Sequence, residues 1–262
     1  MSASTSALLV AFVAAGLSLT SAAFVEVSRR RSAREMANLQ LEQSRFNAEL
    51  ADTLLRKREA DNKTAEARRL VARYRDPLLI SSFDLQSRIF NVMRPDGFRG
   101  GRHPDYYRSN TLFVIAEFFG WLEIIRRDLQ FLDLGAAEDT RQLLKRIEGV
   151  RDAFASTSKW HDDFYIYRGE QRAIGELMAM DPGATGPATR AECMGYASFV
   201  AKLEEPGFAR WFDRTGKAIG ALPGQRPERL VYVQNALVDL IDFLDPGSER
   251  LTNRRNRLSP DA

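Results

Sequence analysis

The 262-residue sequence holds one cysteine, Cys193, two histidines, and six lysines against 32 arginines. A lone cysteine excludes an internal disulfide framework and any cysteine-based zinc cluster. Two histidines leave little room for histidine-rich metal chemistry. Residues 17–76 contain neither Gly nor Pro, and residues 2–25 carry no charged side chain. No nucleophile elbow, P-loop or dinucleotide-binding glycine pattern occurs. With 28% charged and 10% aromatic residues, the chain is not of disordered composition.

The uncharged start and the missing breakers define two unlike segments. Ala7 to Val25 is an apolar run of 19 residues, about 28 Å of helix, close to the roughly 30 Å of a hydrocarbon core. A cleaved signal peptide is the competing reading, with Thr20-Ser21-Ala22 as a small-residue cleavage site. It lacks a basic n-region, however. The arginines follow the run instead: Arg29, Arg30, Arg31 and Arg34. The positive-inside rule then places the C-terminal side in the cytoplasm and the short N-terminus outside, in a single-pass plasma-membrane protein. Those four arginines are expected to contact the membrane surface.

Rich in Ala, Glu, Arg and Leu, the stretch after the anchor predicts one long helical stalk. A heptad beginning at Met36 puts Leu39, Phe46, Leu50, Val71 and Tyr74 on one seam, with Thr53, Lys57 and Thr64 as its polar middle. Two readings stay open: a homodimer through this coiled coil, and a solvated single helix. Residues 29–75 hold 13 basic and 7 acidic side chains, whereas residues 76–262 hold 25 and 27. The overall charge of +3 therefore resides in the stalk. It argues for the lipid bilayer as a partner and not for nucleic acid, which would want a basic patch on the folded domain.

From residue 76 the pattern is helix after helix, with no alternation that supports a sizeable sheet. Asp76-Pro77 reads as a helix restart running to Met93, and residues 94–108 as a Gly/Pro-rich loop. Ser109 to Leu134 is the most hydrophobic segment. Glu117 and Glu123 interrupt it, so it is read as a central core helix and not a second membrane span, with Glu123, Arg126, Arg127 and Gln130 as its polar stripe. Further helices are expected at Glu138–Ala155, Glu170–Met180, Cys193–Leu203, Phe208–Leu222 and Pro227–Leu244, with a short extended piece at Phe164–Tyr167. The last helix pairs a buried stripe (Leu230, Val233, Leu237, Leu240, Ile241, Leu244) with a polar one (Asn235, Asp239, Asp242). The fold expected is all-α: anchor 1–27, stalk 28–75, helical cytoplasmic bundle 76–246, and a polar flexible tail 247–262.

Chemistry is thinly marked. Glu117 has Phe113, Val114, Gly120 and Trp121 as helical neighbours, so a buried carboxylate in need of a partner is expected. The densest polar cluster is Arg168-Gly169-Glu170-Gln171-Arg172 with Glu176. It can bind an anion through its guanidinium forks, cap its own helix and pair internally, as Arg172 with Glu176 one turn on, or supply Glu117 with its counter-ion through Arg168 or Arg172. His161-Asp162, with His103 and one of Asp213, Asp239 or Asp242, follows the order of an HD phosphohydrolase, but in a loop context that fits a solvated turn better. Neither a catalytic residue, a metal site nor a cofactor is assigned. Cys193 reads as a small core residue.

The segments RSNTLFVIAEFFGWLEIIRRDLQFLDLG at 108–135, YRGEQRAIGELM at 167–178 and GYASFV at 195–200 resemble a family of uncharacterised bacterial proteins with an N-terminal anchor and a helical domain. The likeness covers most of residues 74–246. It implies a membrane-attached all-helical protein and no particular activity. The leading expectation is an interaction or regulatory module at the cytoplasmic membrane face, with a protein partner and no enzymatic role. The alternative is a helical enzyme or ligand receptor with a polar pocket near Glu117 and Arg168–Arg172.

Overall fold

The computed structural model describes residues 3–94, 103–129, 138–180, 192–222, 225–251 and 255–259. Side chains are described from residue 25 onward, except at 66–68, 70, 71, 129 and 139. The chain is mostly helical, and it divides into two units, Met1–Asn62 and Lys63–Ala262. Except for Val25, the candidate membrane segment Ala7–Val25 lies outside the residues whose side chains are described. Among those that are, no helix is long and apolar enough to cross a membrane.

Helix α1 is Ala3–Met93. In the first unit every described side chain on it is exposed, including Met36, Leu39, Phe46, Leu50, Leu54 and Leu55. Glu26–Arg30, Arg31–Glu35 and Asp52–Arg56 pair one turn apart, a spacing that supports a solvated helix by a few tenths of a kcal/mol per pair.

The expected restart at Asp76-Pro77 does not occur. Pro77 sits inside α1, although it cannot donate to the carbonyl four residues back. Tertiary contacts hold the helix through this point. Tyr74 donates from its hydroxyl to Asp128, Arg75 donates to the Leu244 carbonyl at 2.5 Å, and Asp76 pairs with Arg250. Beyond it Leu78, Leu79, Leu85, Ile89 and Met93 are buried at helical spacing.

Around α2 (Pro104–Leu129) the second unit assembles its core. α2 starts five residues before the expected Ser109, with Pro104 in the first turn and Asp105 beside the free N–H groups. Phe118, Phe119, Leu112 and Ile124 are all but inaccessible, confirming α2 as a core helix. α4 (Arg168–Met178) crosses it where both chains are thin. A Cβ on Gly175 would stand 2.6 Å from the Phe119 carbonyl oxygen, and one on Gly120 2.8 Å from the Met178 Cβ. α3 (Glu138–Ala155) matches the expected bounds and packs on α8 (Glu228–Leu244).

Elsewhere the boundaries shift. Instead of opening a helix, Glu192–Cys193 (β2) pairs antiparallel with Ala179–Met180 (β1), so α4 ends at Met178 and α5 is Tyr196–Lys202. The helix expected over Phe208–Leu222 is split into α6 (Pro206–Ala209) and α7 (Asp213–Ala221). Phe199 meets Phe208 and Phe212 edge-on there, an arrangement worth about 0.5–1.5 kcal/mol per pair beyond burial. Among the described residues Phe164–Tyr167 joins no sheet, although the Ile166 N–H donates to the Phe154 carbonyl at 3.0 Å.

The polar tail is docked over its described part. Leu258 is buried, its N–H donates to Gln234 Oε1 at 3.1 Å, and Arg255 and Arg257 pair with Asp242, Asp245 and Asp239 of α8 and its end. The sequence reading missed this because arginines and a single leucine form no periodic pattern.

Candidate functional site

The predicted polar cluster is not assembled into one pocket. Arg168 pairs with Glu148 and Asp152 of α3. Glu170 accepts from Arg214 of α7 and, at 2.9 Å, from the Tyr167 N–H, closing the first turn of α4. Arg172 holds Glu176 one turn on at 2.8 Å. None of these four pairs with Glu117 among the described residues. Glu117 lies half-buried on α2. Burial, reinforced by the Asp84 carboxylate, pushes its carboxyl up to about 7. Cys193 lies beside it and donates from its thiol to the Glu117 carbonyl at 3.8 Å. Burial and the Glu117 charge push that thiol up to about 12, so it is no nucleophile at neutral pH.

Asp162 belongs to a structural network and not to a metal pair. It accepts from Arg229 Nε at 2.8 Å and from the Phe164 N–H at 2.9 Å. Arg229 has no exposed surface. It also donates to the carbonyls of Ala153 and Phe154, both at 3.1 Å, and to that of Ser156 at 2.5 Å. These are among the free carbonyls at the end of α3, where the helix dipole favours a cation. Among the described residues no group of three or more His, Cys, Asp and Glu is placed to hold a metal ion. Arg229 was missed by sequence reasoning, yet it had a signal: it falls on the same helical stripe as Val233, Leu237, Leu240 and Leu244.

A concavity lies between α2, α3 and α4, a cavity of about 370 Å3. Phe119, Leu122 and Ile125 of α2 and Leu144 and Ile147 of α3 supply its apolar wall. Glu123, Arg126, Glu148, Arg151, Gln171 and Arg172 supply its polar rim. Expected on a polar stripe, Glu123 is only 4% exposed. Arg126 donates to both its oxygens at 2.7 Å and Arg127 to one at 3.0 Å. Burial alone would raise the Glu123 carboxyl, but these hydrogen bonds and charges outweigh it and hold it below the usual carboxylate range. Gln130, the fourth member of that stripe, lies outside the described residues. The amide of Gln171 donates to the carbonyls of Arg151 and Ile166, both at 2.9 Å, pinning the start of α4 to the end of α3.

Of the sequence-predicted cluster, Gln171 and Arg172 line this cavity. Arg151 had no signal in the sequence, because the cavity exists only where three helices converge. No protein-family model, curated protein or solved structure matches the chain.

Proposed function

We propose that the chain is a membrane-tethered helical module that acts by binding and not by catalysis. In this reading residues 7–25 cross the bilayer with the N-terminus outside. Arg29, Arg30, Arg31 and Arg34 sit at the anionic cytoplasmic face, where each basic side chain gains roughly 1 kcal/mol. The second unit is then a cytoplasmic domain that receives a protein partner, and membership in the family of anchored bacterial helical proteins belongs to the same proposal.

The observation that carries the reading is the contrast along α1. An uncharged stretch is followed at once by four arginines, and then by a helix whose large apolar side chains Met36, Leu39, Phe46 and Leu50 are each between 47% and 64% exposed. A monomer leaves such a stripe in water at a cost, so two copies pairing through it form the coiled coil expected from the heptad.

The test is fractionation of the full chain with alkaline extraction, followed by crosslinking in the membrane. Retention in the membrane pellet and a crosslinked dimer are expected, and Leu39→Glu with Phe46→Glu removes the dimer but not the retention. Release of the intact chain into the soluble fraction ends the anchor. A crosslinking pattern that ignores the double substitution ends the coiled coil.

A further inference from the structure

We infer that the cavity between α2, α3 and α4 binds a small amphipathic monoanion, a hydrocarbon body of about eight carbons ending in a carboxylate. The inference stands on the second unit alone and does not depend on membrane attachment. The cavity's volume of about 370 Å3 lies within the roughly 300–1,000 Å3 typical of small-molecule sites, which join apolar walls to a few convergent polar groups. Phe119, Leu122, Ile125, Leu144 and Ile147 give the apolar body its surroundings. A polar or multiply charged ligand would lose its hydration against that wall without replacement.

The rim selects the charge. Three guanidinium groups, Arg126, Arg151 and Arg172, face two carboxylates, Glu123 and Glu148. Glu123 is committed, since both its oxygens accept from arginine. Arg126 is correspondingly fixed. Arg151 and Arg172 differ from it: their partners Glu148 and Glu176 are 48% and 46% exposed. Such exposed pairs within one helix hold their arginines weakly, so Arg172 turns onto a bound carboxylate at little loss, and Arg151 at the further loss of its long 3.3 Å bond from Nε to Gln171 Oε1. The arginine fork matches a carboxylate bidentately, whereas Glu148, the rim carboxylate an ammonium group would need, is already paired with both Arg151 and Arg168. The ligand's head therefore lies at Arg151 and Arg172, and its body lies along α2 and α3.

The test is isothermal titration of the full chain in zwitterionic nanodiscs, with empty nanodiscs subtracted, using octanoate, octan-1-ol and octylammonium. Octanoate is expected to bind once per chain with a Kd below about 1 mM, the scale available to some ten heavy atoms. Octanol should bind more weakly and octylammonium not at all. Arg151→Gln combined with Arg172→Gln weakens octanoate about fivefold or more by removing charge-assisted hydrogen bonds, and leaves octanol unchanged. Leu122→Trp, which fills the cavity, abolishes both. Absence of saturable octanoate binding overturns the inference, as does octylammonium binding equal to octanoate, or octanoate binding that survives Leu122→Trp with unfolding unaltered. If Leu122→Trp does not fold, the surface arginine pair decides alone: an undiminished octanoate affinity there rejects the site.

Discussion

Residues 25–62 and the second unit are both helical, but their helices exist for different reasons. In the first stretch every described side chain is exposed. Its helix rests on composition and on ion pairs one turn apart, each adding a few tenths of a kcal/mol. In the second unit the helices rest on what they bury: Phe118, Phe154 and Phe199 have no exposed surface. The same α1 passes a proline without breaking there, because Tyr74, Arg75 and Asp76 are fastened to Asp128, Leu244 and Arg250. Local propensity makes a helix that tolerates change almost anywhere, and packing makes one that tolerates it almost nowhere.

This contrast is open to breakage, most severely at Arg229. Arg229→Met removes the charged partner of Asp162 and a donor from the carbonyls of Ala153, Phe154 and Ser156, and a loss of about 3–5 kcal/mol is expected in denaturant unfolding. Phe118→Ala belongs to the same range, about 3–5 kcal/mol, through the cavity it leaves. A loss below 1 kcal/mol at either site would mean that the second unit is no better packed than the first.

Gly175→Ala should follow at about 1–3 kcal/mol, because its methyl group meets the Phe119 backbone and α2 and α4 must separate. Ala at an exposed position such as Gln43 should change stability by less than about 0.5 kcal/mol. Equal effects at the two positions would show that the helix crossing is looser than its geometry implies.

Glu117 gives a test through pH. Its folded carboxyl, at about 7, lies above the ordinary 4.5. Below 4.5 the group is protonated in both states. Between 4.5 and 7 the folded chain keeps a proton the unfolded chain has lost, so stability falls as pH rises through that window. Above 7 the penalty is complete. Glu117→Gln should remove this slope and stabilise the protein by about 1–3 kcal/mol at pH 8, with little change at pH 4. Thermal unfolding across pH 4–8 checks it, and an unchanged slope in the variant would assign the effect elsewhere.

The smallest effect sharpens the comparison most. At 64% exposure, Phe46→Ala should cost under about 0.5 kcal/mol in a monomer. A loss that is larger and grows with protein concentration would show that this helix, too, is held by packing, against a second copy.

Much of this was legible in the sequence. α3 and α8 were recovered because their apolar residues recur at helical spacing, and Asp239 and Asp242 stand on the exposed face of α8 where the pattern put them. The errors lie where non-local contacts decide. Pro77 carries a breaker's chemistry but sits in a continuous helix. Cys193 has a helix-compatible neighbourhood but pairs with Ala179 across β1 and β2. Arg168, Glu170 and Arg172 lie within five residues, yet only Arg172 keeps the local partner expected for it, Glu176; Arg168 turns to Glu148 and Asp152 and Glu170 to Arg214, because residues on one helix a few positions apart face different neighbours.

The scarcities with which the sequence opens retain their force. No Gly or Pro over residues 17–76 made one long helix, and a single cysteine left no disulfide to constrain the fold. These are local properties, fixed by backbone freedom and covalent chemistry, and the sequence determines them alone. Tertiary structure decided which charges are buried and with whom: Arg229 with Asp162, Glu123 with Arg126 and Arg127, Glu117 beside Asp84. It also decided that three helices enclose an apolar cavity under an arginine rim. Those outcomes depend on groups far apart in the chain, whose desolvation is offset only when the folded geometry brings the right partner within reach.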